Sequence, residues 1–269
     1  MDLRGASAEA LAVLTEQLDD ATATAKAAAA LGDELFTVSQ LFRTEAALRR
    51  FATDGSLPNA AKQGMVQQVF QGRVGDATQR LLTEAVGRRW TRSHDLADVL
   101  ERLSEIAIVR SAGAKAAQVT DELFALTGII DGNPSLRSAL SDPARSVDDK
   151  AALVDSLLDG KAVPATVTLA KQSLAGTYRT VTAALATYRR VAAETQGETV
   201  ATVRVARPLA AADQERLTAL LSRQYDTTVH LNVVVDPEVL GGLRVEIGDE
   251  VIDGTIASRL DDARRRLAG

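Results

Sequence analysis

Two stretches decide how this chain folds: "LRRFATDGSLPNAAKQGMVQQVF" (Leu48–Phe70) and "LRSALSDPARSVDDKAALVDSLL" (Leu136–Leu158), which lie 88 residues apart. Each reads as a helix end, a turn carrying Asp with Gly or Pro, and the start of a new helix. Working outward, the tetrapeptide "DELF" recurs in the same register at Asp33–Phe36 and Asp121–Phe124. An ungapped comparison of residues 32–86 with 120–174 finds 13 identities in 55 positions, where composition alone gives about four. A period of 88 residues exceeds the roughly 20–50 of a solenoid unit, so it predicts a duplicated small domain.

Both copies carry helical periodicity. Leu11, Leu14 and Leu18 recur at spacings of three and four, as do Leu96, Val99, Leu100 and Leu103. The pattern continues from about Asp95 to Phe124 apart from Gly113, so the last helix of the first copy is expected to run on as the first of the second, a stiff junction. After Gly197 the pattern changes to alternation, with Ala201, Val203 and Val205 on one strand face and Val229, Leu231, Val233 and Val235 on another. A helix lies between these strands with Leu217, Leu220 and Leu221 on one face, and Asp236-Pro237 ends the second strand. A third strand, "LRVEI", runs to a turn at Gly248-Asp249, and Ile256, Leu260 and Leu267 mark a final helix. The expected fold is mainly α: a helical bundle over 1–105, a second over 106–197 sharing the junction helix near 95–124, and a small βαββα domain over 198–269.

Composition narrows the function. The 269 residues are 46% hydrophobic, enough for several cores. A balance of 31 Lys+Arg against 36 Asp+Glu, net −5, argues against nucleic acid as a partner. With no cysteine there is no disulfide, thiolate metal site or thiol nucleophile. The opening "MDLRGASAEALAVLTEQL" reads as mature protein rather than a signal, and no apolar run is long enough to span a membrane, so any membrane attachment is expected to pass through a partner.

No catalytic motif is present: there is no G-x-S-x-G elbow, phosphate loop or G-x-G. His94 and His230 each stand without a Cys or His ligand pattern, which favours structural roles. In "GGLRVEIGDEVIDGT", Glu246, Asp249, Glu250 and Asp253 could hold a cation, but the spacing is not that of a calcium loop. The plainer reading makes Gly241 and Gly242 a chain turn, Gly248-Asp249 a hairpin, and Asp253 or Thr255 a helix cap. Arg264–Arg266 reads as a solvated helix end, and Trp90 as an interface anchor or a core residue. No enzyme and no cofactor is expected.

The segment "LNVVVDPEVLGGLRVEIGDEVIDGTIASRL" resembles the signature of the delta subunit of F-type ATP synthases, the oligomycin-sensitivity-conferring protein of mitochondria; Asp236, Gly241, Gly242, Gly248, Asp249, Asp253, Gly254 and Thr255 carry the likeness. "GRRWTRSHDLADVLERL" resembles the helix closing that family's helical domain. One extra helical copy makes this chain resemble the enlarged delta subunits of actinobacteria, and 25 Arg to 6 Lys fits a GC-rich genome. The resemblance implies a non-catalytic peripheral-stalk subunit at the cytoplasmic face of the bacterial membrane, tying the catalytic head to the stalk. A helical domain would receive the N-terminal helix of an alpha subunit in a groove, and the C-terminal domain would hold a b-type stalk helix. Groove candidates in the first copy are Leu11, Leu14 and Leu18 with Leu81, Leu82 and Val86, which could equally be core. Two copies offer two grooves. A free-standing helical adaptor is the alternative reading, and an enzyme using Asp249, Asp253 and His230 is a further one.

Overall fold

The computed structural model describes residues 3–236, 239, 241–247 and 250–254. The chain divides into two compact units, Met1–Ala192 and Ala193–Gly269.

The first unit is helical. Its first six helices are α1 (Ala6–Ala21), α2 (Ala25–Thr44), α3 (Ala46–Thr53), α4 (Asn59–Phe70), α5 (Asp76–Gly87) and α6 (Asp95–Ser111). A 3-10 turn at Gly113–Lys115 leads to α7 (Ala116–Asp131), α8 (Pro134–Ser141), α9 (Val147–Leu158), α10 (Pro164–Gln172) and α11 (Val181–Thr195). Local chemistry sets the starts: Thr24, Asn133 and Ser146 accept backbone N–H groups at the heads of α2, α8 and α9, Pro134 opens α8, and Asp148 and Asp149 suit the positive end of α9.

The repeat is visible atom by atom. Helices α3 and α8 are both 8 residues long, α4 and α9 both 12, and each pair starts 88 residues apart. Glu34 of the first "DELF" accepts the Gly75 N–H at 3.0 Å at the head of α5; Glu122 of the second accepts the Val163 N–H at 3.0 Å at the head of α10. Asp54 and Asp142 each accept a backbone N–H two residues on, from Ser56 and Ala144. The matched glycines Gly72 and Gly160 both have positive φ, 72° and 66°, a conformation that disfavours side chains and accounts for glycine at both places. The motif is thus a helix-capping device used twice.

Two apolar cores result. Leu14, Leu18, Leu35, Phe42, Phe70 and Leu82 anchor one, with the Phe42 and Phe70 rings 6.1 Å apart. Leu123, Leu126, Leu158, Leu169, Leu185 and Tyr188 anchor the other. Helix α6 serves both: Leu96, Val99, Leu100 and Leu103 enter the first, Ile108 and Val109 the second. Burying each such side chain is worth about 1.5–3 kcal/mol. The expected continuous helix from Asp95 to Phe124 is corrected here, because α6 stops at Ser111 and the turn at Gly113–Lys115 separates it from α7. Shifted by 88 residues, α7 corresponds to α2 and the α1 range falls on 94–109, so α6 itself occupies the place of a first helix. The 105/106 boundary read from sequence falls inside it.

The second unit contains β1 (Glu198–Val205), α12 (Ala211–Tyr225), β2 (Thr228–Val235), β3 (Leu243–Ile247) and β4 (Glu250–Asp253) in the sheet order β2-β1-β3-β4. Strands β1 and β2 are parallel with α12 as their crossover; β3 runs antiparallel to β1, and β4 to β3. Ala201, Val203, Val205, Val229, Val245 and Ile247 gather against Leu221 of α12, as the alternation predicts. The βαββα expectation is amended by a fourth strand, β4, which follows the Gly248-Asp249 position. The expected final helix, with Ile256, Leu260, Leu267 and Arg264–Arg266, lies outside the described residues, as do Pro237, Gly248, Asp249 and Thr255.

Candidate functional site

Between α1 and α5 runs an open groove of about 540 Å³. Gln17 and Ala21 line it from α1, Ala77, Arg80, Leu81 and Glu84 from α5, and Gln67 from α4. Small side chains at Ala21 and Ala77 leave the hollow; glutamines and charged groups rim it. The six residues read from sequence lie on these two helices but mostly behind the groove. Leu14, Leu18, Leu82 and Val86 are fully buried, Leu81 is nearly so, and all five belong to the first core; only Leu81 also lines the groove. Leu11 is partly buried against the same core. The leucines hold α1 to α5, and the small and polar flanking residues make the surface. Trp90 packs on this core too, its Nε1 donating to the Ala85 carbonyl at 3.1 Å.

The corresponding place in the second bundle, between α6 and α10, is shut. Glu105 and Val109, the counterparts of Gln17 and Ala21, are both 0% exposed, and Ala165 and Leu169, counterparts of Ala77 and Leu81, are buried. The covering elements are at hand: Ser104 donates to the Gly32 carbonyl of α2 at 2.7 Å, and the Tyr178 hydroxyl donates to Glu105 at 2.9 Å. A second opening of about 540 Å³ lies instead between α9 and α10, bordered by Asp155, Leu158, Ala162, Pro164 and Val167. Of the two α1–α5-type grooves expected from the duplication, the described residues leave one open.

In the second unit the signature residues that are described collect at one end of the sheet. Asp236 follows β2 and its N–H donates to Val205 at 2.8 Å; Gly241 and Gly242, with φ of 120° and 80°, lead into β3; Asp253 pairs across from Arg244, and the Gly254 N–H donates to Leu243 at 2.9 Å. They shape turns where β1 and β2 finish and β3 begins. The imagined cation site is dispersed: Glu246 faces one side of the sheet beside Arg204 (3.7 Å) and Arg244 (3.3 Å), whereas Glu250 faces the other and accepts from Tyr225 at 2.6 Å. His230 on β2 and Asp253 on β4 occupy opposite edges of the sheet, so they form no joint catalytic group. His94 lies 3.4 Å from Asp95, but Asp95 already accepts from Ser7 at 2.7 Å and the Arg92 N–H at 3.1 Å, and Asp98 pairs with Arg43 at 2.9 Å. These carboxylates are committed to the fold.

The family model described as ATP synthase delta (OSCP) subunit matches residues 106–267, from within α6 onward, leaving the helices that form the open groove in the part beyond it. An "ATP synthase subunit delta" from a Nocardioides strain is 54% identical over 268 residues, covering 99% of this chain and 98% of the relative. Proteins of that name from Streptomyces avermitilis (40% identical, all of both chains) and Thermobifida fusca (38%, 99% of this chain and 100% of the relative) are also similar along their length. These relatives are as long as this chain, first bundle included. The chain belongs to the ATP synthase delta (OSCP) subunit family, in an enlarged form that its relatives share.

Proposed function

We propose that this chain is a non-catalytic peripheral-stalk subunit of a proton-translocating F-type ATP synthase, tying the alpha/beta head to a b-type stalk so that the head does not turn with the rotor. A match to the family model over residues 106–267 and a relative named ATP synthase subunit delta that aligns with 99% of the chain carry the reading. The domain plan goes with it: a first bundle over 1–105, a second over 106–197 sharing α6, and a stalk-attachment domain over 198–269. In this plan the α1–α5 groove receives the N-terminal helix of one alpha subunit. Its supporting features are an open hollow between two helices with small residues and polar groups in its lining, where an amphipathic helix could be laid. The closed α6–α10 place argues for one such contact per chain rather than two. Attachment to the cytoplasmic face of the membrane would be peripheral; among the described residues no helix is long and apolar enough to cross a membrane.

Purifying a tagged full-length chain from detergent-solubilised membranes tests the reading. Alpha and b-type chains are expected to accompany it in fixed ratio. Recovery of the chain without either of them would favour the free-standing adaptor instead.

A further inference from the structure

Glu101 and Glu105 stand one turn apart on α6, and both are 0% exposed. Their surroundings are drawn from every element packed around them. Asp98 and Arg102 lie on α6 itself, Arg43 comes from α2, Tyr178 from the connection between α10 and α11, and Tyr188 from α11. Glu101 is paired with Arg43 and accepts the Thr177 N–H at 3.2 Å; Glu105 is 3.2 Å from Arg102 and accepts from the Tyr178 hydroxyl at 2.9 Å. Both side chains, on α6, therefore contact the same short segment, residues 173–180. The segment lies so close that a Cβ on Gly176 would collide with Glu101 and come within 3.3 Å of the Tyr188 hydroxyl. That hydroxyl and the Gln172 Nε2 are buried without a hydrogen-bond partner. Two carboxyl groups are thus confined in a buried seam, each opposed by an arginine. Burial, aided by the neighbouring charge of Glu101, lifts Glu105 to about 7, with Arg102 opposing; burial likewise raises Glu101.

We propose that Glu105 is a proton-operated latch: protonated, it relieves the repulsion from Glu101 and lets segment 173–180 close on α6, and deprotonated it loosens that segment. The site sits on a helix that enters both cores, so the latch sets how firmly the second bundle grips α6. The inference rests on packing and stands independently of the subunit assignment.

A carboxyl that binds its proton more tightly when the latch is closed favours closure most at low pH, and that preference is lost as pH rises through about 7. If the opened segment returns Glu105 to the ordinary carboxylate range, the opening equilibrium grows about tenfold between about pH 6 and 8. Hydrogen–deuterium exchange of the Thr177 amide in the full-length protein, corrected for the intrinsic pH dependence of exchange, reads this directly. The wild type is expected to lose about tenfold protection over that range, and Glu105→Gln to stay flat at the level of the protonated wild type. A flat wild-type profile, or the same loss in Glu105→Gln, would overturn the proposal. Should Glu105→Gln not fold, the carbon-13 titration of the Glu105 carboxyl in the wild type decides: a midpoint near 7 supports the latch, and one in the ordinary carboxylate range of about 4 removes it.

Discussion

Gly32→Leu is expected to destabilise the helical unit by on the order of 3 kcal/mol or more, the upper end of overpacking costs. Propensity alone points the other way, since an interior helical glycine is worth about 1 kcal/mol less than alanine. Sterics win because α2 and α6 touch at this residue: a Cβ on Gly32 would stand 2.5 Å from Ile108 Cδ1, 2.7 Å from Cγ1 and 3.2 Å from the Ile108 backbone nitrogen. The side-chain atoms of Ile108 can rotate, but the backbone nitrogen moves only if α6 moves. Such a shift breaks the Ser104 bond to the Gly32 carbonyl, 2.7 Å long, and disturbs Ile108, which belongs to the second core. Denaturant unfolding followed by circular dichroism should show both helical bundles weakened together. Gly32→Ala should lie between Gly32→Leu and the wild type. Unchanged stability in Gly32→Leu would mean that α2 and α6 are not in contact at this point.

The second large effect is expected at Arg43, whose side chain is 20% exposed and bridges Asp98 and the fully buried Glu101. Arg43→Ala leaves Glu101 in the seam without its counter-charge, a change that typically costs about 3–5 kcal/mol. Burial already raises Glu101 above the usual carboxylate range, with Arg43 the first influence lowering it, so removing the arginine raises it further. The variant should therefore be least stable at high pH and recover on acidification as Glu101 takes up a proton. Combining Arg43→Ala with Glu101→Gln should restore much of the loss, because the charge that needed a partner has gone. Equal losses in the single and double variants, measured by denaturant unfolding at about pH 8, would show that Arg43 acts through packing of its stem.

The duplication and the strand alternation were legible in sequence because they rest on local rules. The two "DELF" glutamates recur since each must cap the helix that follows, and Gly72 and Gly160 recur since the chain turns there with positive φ. Strand faces at Ala201, Val203 and Val205 followed from period two. What escaped sequence reading depends on how elements meet. "LERLSEIAIV" looks like an amphipathic helix with exposed glutamates; Glu101 and Glu105 are buried by segment 173–180 together with Arg43 of α2 and Tyr188 of α11. Apolar periodicity found α1 and α5 but selected the leucines that join them, because periodicity marks the buried face. The groove is made by Gln17, Ala21, Ala77 and Arg80, whose signal was the small residues flanking that stripe. Nor could the repeat reveal that one groove is open and its counterpart closed, since Tyr178 and α2 meet α6 only once the chain has folded.

A single helix-receiving groove on the first bundle can be measured by calorimetric titration of the intact chain with a peptide of the alpha subunit's N-terminal helix. One peptide is expected to bind per chain, and none to an Ala77→Phe variant whose added ring fills the groove while its circular dichroism stays that of the wild type. Two equivalent sites, or a single site of unchanged affinity in Ala77→Phe, would contradict it.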